Sequence, residues 1–148
     1  MNTATLKTRL LVLLTTLSLA APVLAHHSFA MYDQDITKTL TGRLTRFIVG
    51  ANHSQFVFDV VDDKGMTLLD DKGAPVIWGV ETGPAGQIAR QGITVESFPI
   101  GTYFTVTLNP LRDGRPFGTL RGGIILCGTE LPEAGCKRET GTVFLERN

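Results

Sequence analysis

The chain has 148 residues, of which 43% are hydrophobic, and its 14 basic and 14 acidic residues give a net charge of zero. This length suits one domain with its own hydrophobic core. The lack of a basic excess argues against a nucleic-acid-binding protein, because such proteins neutralise phosphates with clustered lysine and arginine.

The first 25 residues show the three zones of a secretory signal peptide. Lys7 and Arg9 precede an apolar run over 10–20, and small residues follow, with Val23 and Ala25 suited to the cleavage pocket. The run is shorter than the roughly 20 residues that cross a bilayer. We therefore expect cleavage after Ala25, a mature domain over 26–148 with a net charge of −2 and no membrane span, and a periplasmic or secreted location.

Beyond the signal peptide, apolar and polar residues mainly alternate, which is the period of a half-buried strand. The pattern predicts strands over Thr39–Val49, Gln55–Val61, Val76–Thr82, Tyr103–Leu108, Phe117–Leu126 and Thr142–Leu145. In the first strand, Leu40, Leu44 and Ile48 would share the inward face. The repeated Asp-Asp-Lys-Gly at 62–65 and 70–73 predicts two turns, since neither has the alternating oxygen spacing of a calcium loop.

A short helix is predicted over Pro84–Gln91, because Pro84 suits its first turn, Ile88 gives it an apolar anchor and Gly92 suits its end. Three strands, a helix and two further strands is the order of the OB-fold, a five-stranded Greek-key barrel. A β-sandwich is the competing architecture, and the helix between the third and fourth strands favours the barrel. We predict a single domain of the all-β class with one short helix, folded as a small OB-like Greek-key β-barrel.

The two cysteines, Cys127 and Cys136, lie close together near the C-terminus. An even, closely spaced pair in an exported protein predicts a disulfide. The alternative is a thiol metal or redox site, which usually has the tighter Cys-x-x-Cys spacing.

Several short motifs carry a family resemblance. They are His26-His27-Ser28-Phe29-Ala30-Met31-Tyr32-Asp33, Leu40-Thr41-Gly42, Asn52-His53, Trp78-x-x-Glu81, Arg90-Gln91-Gly92, Gly101 and Asn109-Pro110-Leu111-Arg112-Asp113-Gly114. Together they resemble a family of short, exported bacterial proteins of unknown function, and the opening His-His-Ser-Phe-Ala is the most specific part. The resemblance implies export and a small β-barrel, and it brings no established activity. This chain departs from the family pattern at 51–53, where Ala51-Asn52-His53 replaces Asn-Pro-His.

All three histidines fall in two places: His26 and His27 at the mature terminus, and His53 at the start of the second strand. Cleavage would free an α-amino group on His26. The pKa of such a group is about 8, so a metal ion can compete with its proton. That amine, the His26 ring and the His53 ring would form a T-shaped set of three nitrogens, which suits Cu(II). A second mode needs only the terminal amine, the His27 amide and the His27 ring. Replacing His53 should greatly weaken copper binding in the first mode and barely change it in the second.

These observations predict a periplasmic metal-binding protein with His26, His27 and His53 as ligands and copper as the favoured ion. The plainer interpretation is that His26 and His27 only make a polar terminus, and that His53 caps a strand or forms a hydrogen bond in a turn. The alternative function is a non-catalytic module that binds an envelope protein, peptide or saccharide through the loop of Arg112 and Arg115, one of the loops that OB-folds use for ligands. An enzyme ranks third, because the chain has no glycine-flanked nucleophile turn and few aromatics for an oxygenase face.

Overall fold

The structure is a computed structural model, and it describes residues 30–146. From Tyr32 onward these residues form one compact unit. Its elements are β1 (Lys38–Ile48), β2 (Gln55–Val60), β3 (Ile77–Glu81), α1 (Ala85–Arg90), β4 (Tyr103–Pro110), β5 (Phe117–Gly128) and β6 (Thr142–Phe144). The predicted signal peptide, its cleavage site, His26 and His27 lie outside the described residues, so the predicted boundary at 25/26 stays a prediction.

Five strands close into a barrel. Antiparallel pairing joins β1 to both β2 and β4, β2 to β3, and β4 to β5. Closure comes from β3 and the beginning of β5, which run parallel and place Gly79 opposite Phe117 and Glu81 opposite Thr119. The short β6 pairs with the far part of β5. The predicted all-β, OB-like barrel with a short helix before β4 is therefore confirmed.

The core is built around aromatic rings that meet edge to face. Phe56, Phe58 and Phe104 project inward from strands and are fully buried. Phe98 comes from the connection between α1 and β4, and its ring lies 4.9 Å from that of Phe56 and 5.0 Å from that of Phe104, between centroids. Such edge-to-face pairs add to the free energy gained by burying the rings. A residue outside the strands thus closes one end of the barrel core.

The predicted inward face of the first strand is wrong at Ile48. Leu44 pairs with Phe58, but Arg46 pairs with Val57, so one extra residue stands in β1 as a β-bulge. The bulge shifts the alternation by one position. Phe47 consequently packs against the core, and Ile48 is 38% exposed.

The remaining local predictions agree with the structure. The helix forms with Ile88 buried, and Gly92 follows it with a φ of 92°. Asp62 and Asp70 each cap a tight turn, and each Oδ1 accepts two backbone N–H bonds of 2.9 Å. Cys127 and Cys136 form a disulfide with 5.7 Å between their Cα atoms. Among the described helices, none has the length and apolar character needed to cross a bilayer.

Candidate functional site

The loop between β1 and β2 is tightly closed, and this closure determines where His53 lies. The Gly50 N–H donates to Ser54 Oγ at 3.3 Å. Ser54 is fully buried; its N–H donates to the Gly83 carbonyl at 3.0 Å, and its own carbonyl accepts from the Thr82 N–H at 2.8 Å. A Cβ atom at Gly50 would overlap the carbonyl oxygen of His53. The loop therefore requires glycine at position 50 and holds His53 at the beginning of β2, with its side chain 50% exposed.

Glu81 is the partner of His53. The register of β2 and β3 places Gln55 opposite Glu81, and His53 lies two residues before Gln55. Its Nδ1 is 3.2 Å from Glu81 Oε1, and the Glu81 side chain is 23% exposed. The last residue of β3 therefore sets an acidic group beside an imidazole that solvent can reach.

The Glu81 carboxylate also interacts with Tyr32, the first residue of the compact unit. Tyr32 is 2% exposed. Burial, together with the negative charge of Glu81 and a hydrogen bond to that carboxylate, raises the pKa of the Tyr32 phenol to about 12. The phenol therefore keeps its proton well above neutral pH.

The backbone around Tyr32 is fixed as firmly as its side chain. Tyr32 forms an isolated β-bridge with Leu111, and the Asp33 N–H donates to the Pro110 carbonyl at 2.8 Å. These bonds attach the N-terminal chain to the connection between β4 and β5. Tyr32 consequently fixes a point only six residues after His26 against the barrel.

The two candidate arginines lie in the connection between β4 and β5, and both already face acidic groups. Arg115 donates from Nε to Asp113 Oδ2 at 2.8 Å within its own turn. Arg112 is looser, with Nη1 3.9 Å from Asp33 Oδ2 and a side chain that is 54% exposed. Arg115 therefore bonds within its own turn while its side chain stays 70% exposed, and Arg112 has the weaker acidic partner of the two.

Within residues 30–146, the side chains that could bind a metal form a pair but no larger group. No group of three or more histidine, cysteine, aspartate or glutamate side chains is placed to hold an ion there. His53 and Glu81 form a pair, and the other two predicted ligands, His26 and His27, lie outside the described residues. The predicted ligand set therefore stays a prediction.

A model of a family of unknown function, DUF6152, matches residues 15–121. The chain belongs to this family. The match spans the three histidines, Glu81 and the β4–β5 connection, and it ends before the disulfide. No curated protein and no solved structure matches the chain.

In this DUF6152 member, sequence reasoning singled out His53 but missed its pairing with Glu81 and the influence of Glu81 on Tyr32. Both residues stood in the motifs that carried the family resemblance. Pairing Gln55 with Glu81 across a β2–β3 hairpin would have identified the first, but sequence alone left the hairpin register open. The contact of Tyr32 depends on a segment that follows no strand pattern, and no signal in the sequence indicated it.

Proposed function

We propose that this protein is exported to the periplasm or secreted, and that it binds a metal ion, with copper favoured, through His26 and His27 of its mature terminus together with His53. The observation that carries the proposal is the pair formed by His53 and Glu81. A carboxylate oxygen lies 3.2 Å from Nδ1 of a half-exposed imidazole, which is the arrangement found beside many metal-binding histidines.

The length of the N-terminal chain supports this ligand set. Tyr32 lies six positions after His26, and an extended chain covers about 3.3–3.6 Å per residue, so the terminus can reach about 20 Å from Tyr32. Glu81, which pairs with His53, also contributes to the raised pKa of Tyr32, which supports a position of His53 within that reach. A short tether of this kind gives the terminal amine an effective concentration near His53 in the millimolar range.

The chemistry of the set favours Cu(II). The α-amine and ring of His26 chelate one ion, and a second imidazole adds a third nitrogen in the planar arrangement that Cu(II) prefers. The amine exists only after cleavage following Ala25, so export and metal binding are linked. The large hydrophobic residues exposed on the described part of the chain are aliphatic, which favours carriage or sequestration of copper over oxidation of a polymeric substrate.

A non-catalytic module that binds an envelope protein, peptide or saccharide through Arg112 and Arg115 has weaker support. Asp113 already occupies the Arg115 guanidinium, and Asp33 faces Arg112. A ligand would have to compete with both carboxylates.

Metal analysis of protein purified from the periplasm tests the proposal. We expect an intact mass that begins at His26 and about one equivalent of copper. The matched control is cytoplasmic protein with a methionine before His26, which removes the amine ligand and should bind copper more weakly. A processed protein that contains no copper and binds it no better than this control would refute the proposal.

A further inference from the structure

We propose that Glu81 is a positioning residue for the metal site: it fixes the proton of the neutral His53 ring on Nδ1 and thereby directs Nε2 to the metal. This inference rests on the proposed function, because it concerns the same His53. It assigns a role to a residue that binds neither the metal nor a substrate.

The tautomer follows from the acceptor chemistry of the pair. A neutral imidazole carries one N–H, and an ionised carboxylate can only accept hydrogen bonds. With Nδ1 3.2 Å from Glu81 Oε1, the proton belongs on Nδ1 and the free lone pair is on Nε2. Half of the His53 side chain is exposed, so a metal can approach the ring. Carboxylates that hold metal-binding histidines in this way set the ring orientation and make the ligand nitrogen more basic.

The backbone of Glu81 is paired on both sides. Glu81 is the last residue of β3 and pairs with both Gln55 and Thr119. A carboxylate on a strand bonded on both sides positions a ligand more accurately than one on a loop.

Nitrogen NMR of the metal-free protein tests the tautomer directly, independently of any metal. At a pH where the His53 ring is neutral, we expect the wild-type ring to carry its proton on Nδ1. Glu81→Ala should shift it toward the Nε2–H form, whereas Glu81→Gln, which keeps an acceptor oxygen and the side-chain size, should restore most of the Nδ1–H form. A wild-type tautomer in Glu81→Ala would overturn the proposal. If Glu81→Ala does not fold, the wild-type spectrum still provides the test, because a ring protonated on Nε2 in the wild-type protein would overturn the proposal.

Copper titration of the processed variants tests the consequence. We expect Glu81→Ala to weaken Cu(II) binding about 10- to 100-fold and Glu81→Gln to weaken it less. Glu146→Gln is the matched control, because it removes a carboxylate from an exposed ion pair with Arg138 and should leave the affinity unchanged. If His53→Ala weakens binding while Glu81→Ala stays within twofold of wild type, the positioning role alone is refuted. If His53→Ala has no effect, the proposed function is refuted as well.

Discussion

Replacing Gly50 with alanine should destabilise the barrel and displace His53, although the change adds a single methyl group. The new Cβ would overlap the carbonyl oxygen of His53, which is part of the backbone and cannot rotate away. Relief of the clash requires the loop to move. That movement would also weaken the bonds from the Gly50 N–H to Ser54 Oγ at 3.3 Å and from the Ala85 N–H to the Gly50 carbonyl at 3.0 Å.

The expected cost combines these effects. Overpacking typically costs about 1–3 kcal/mol, and each weakened hydrogen bond adds up to about 1 kcal/mol, so we expect Gly50→Ala to lower the free energy of unfolding by about 2–4 kcal/mol. Gly86→Ala is the matched control. Gly86 lies in α1, and the nearest atom to its Cβ position is an Arg90 guanidinium nitrogen at 3.7 Å. Alanine should therefore stabilise this helix by about 0.5–1 kcal/mol.

Urea unfolding followed by the fluorescence of the single Trp78 measures both changes. With an m value of about 1–3 kcal/mol per molar urea, the Gly50→Ala midpoint should fall by about 1–2 M, and the Gly86→Ala midpoint should rise. A neutral or stabilising Gly50→Ala, measured beside a stabilising Gly86→Ala, would refute the packing of this loop and with it the position given to His53.

Three further predictions concern Tyr32, Phe98 and the disulfide. The folded-state pKa of Tyr32 is raised from 10.0 to about 12. The stability that the protonated phenol contributes is therefore complete below pH 10 and is lost as the pH rises toward 12. This lowers the free energy of unfolding by at most about 2.7 kcal/mol before solvent screening reduces the effect. Chemical denaturation across this pH range should show the loss in wild type and not in Tyr32→Phe, and equal profiles would contradict the assignment. Phe98→Ala should cost about 3–5 kcal/mol in urea unfolding, because the ring is 1% exposed; a cost below about 1 kcal/mol would contradict its place in the core. Reducing the bond between Cys127 and Cys136, nine residues apart, should lower the unfolding free energy by about 2–3 kcal/mol on the chain-entropy model, and denaturation that is unaffected by a reductant would contradict this value.

The barrel could be predicted from the sequence because its strands alternate clearly and its helix has distinct ends. Phe56, Phe58 and Phe104 occupy the inward positions that a period of two requires. The prediction was wrong at Ile48, where a bulge in β1 shifts the alternation by one residue and no local signal marks the extra position. Phe98 could not be placed, because it lies outside any periodic element and reaches the core only through the folded connection between α1 and β4.

Of the candidate site, the sequence singled out His53 but not the residues around it. His53 was identified from its chemistry and its place before β2. The contact with Glu81 depends on the β2–β3 register, and the contact of Tyr32 depends on a β-bridge to Leu111; both are long-range pairings that composition and spacing leave open. The bond from Arg115 to Asp113 within its own turn was likewise not indicated by the sequence, and the predicted ligand role of this loop stays a prediction.

The central claim is that the mature terminus and His53 bind one copper ion together, and a competitive Cu(II) titration of processed His53→Ala tests it most directly. His53 is half exposed, so its replacement should leave the fold intact, which circular dichroism would verify. If His53 completes the site with the terminus, the variant should bind Cu(II) at least tenfold more weakly than wild type. An unchanged affinity would show that the first two mature residues bind copper by themselves, and it would contradict the proposed folded site.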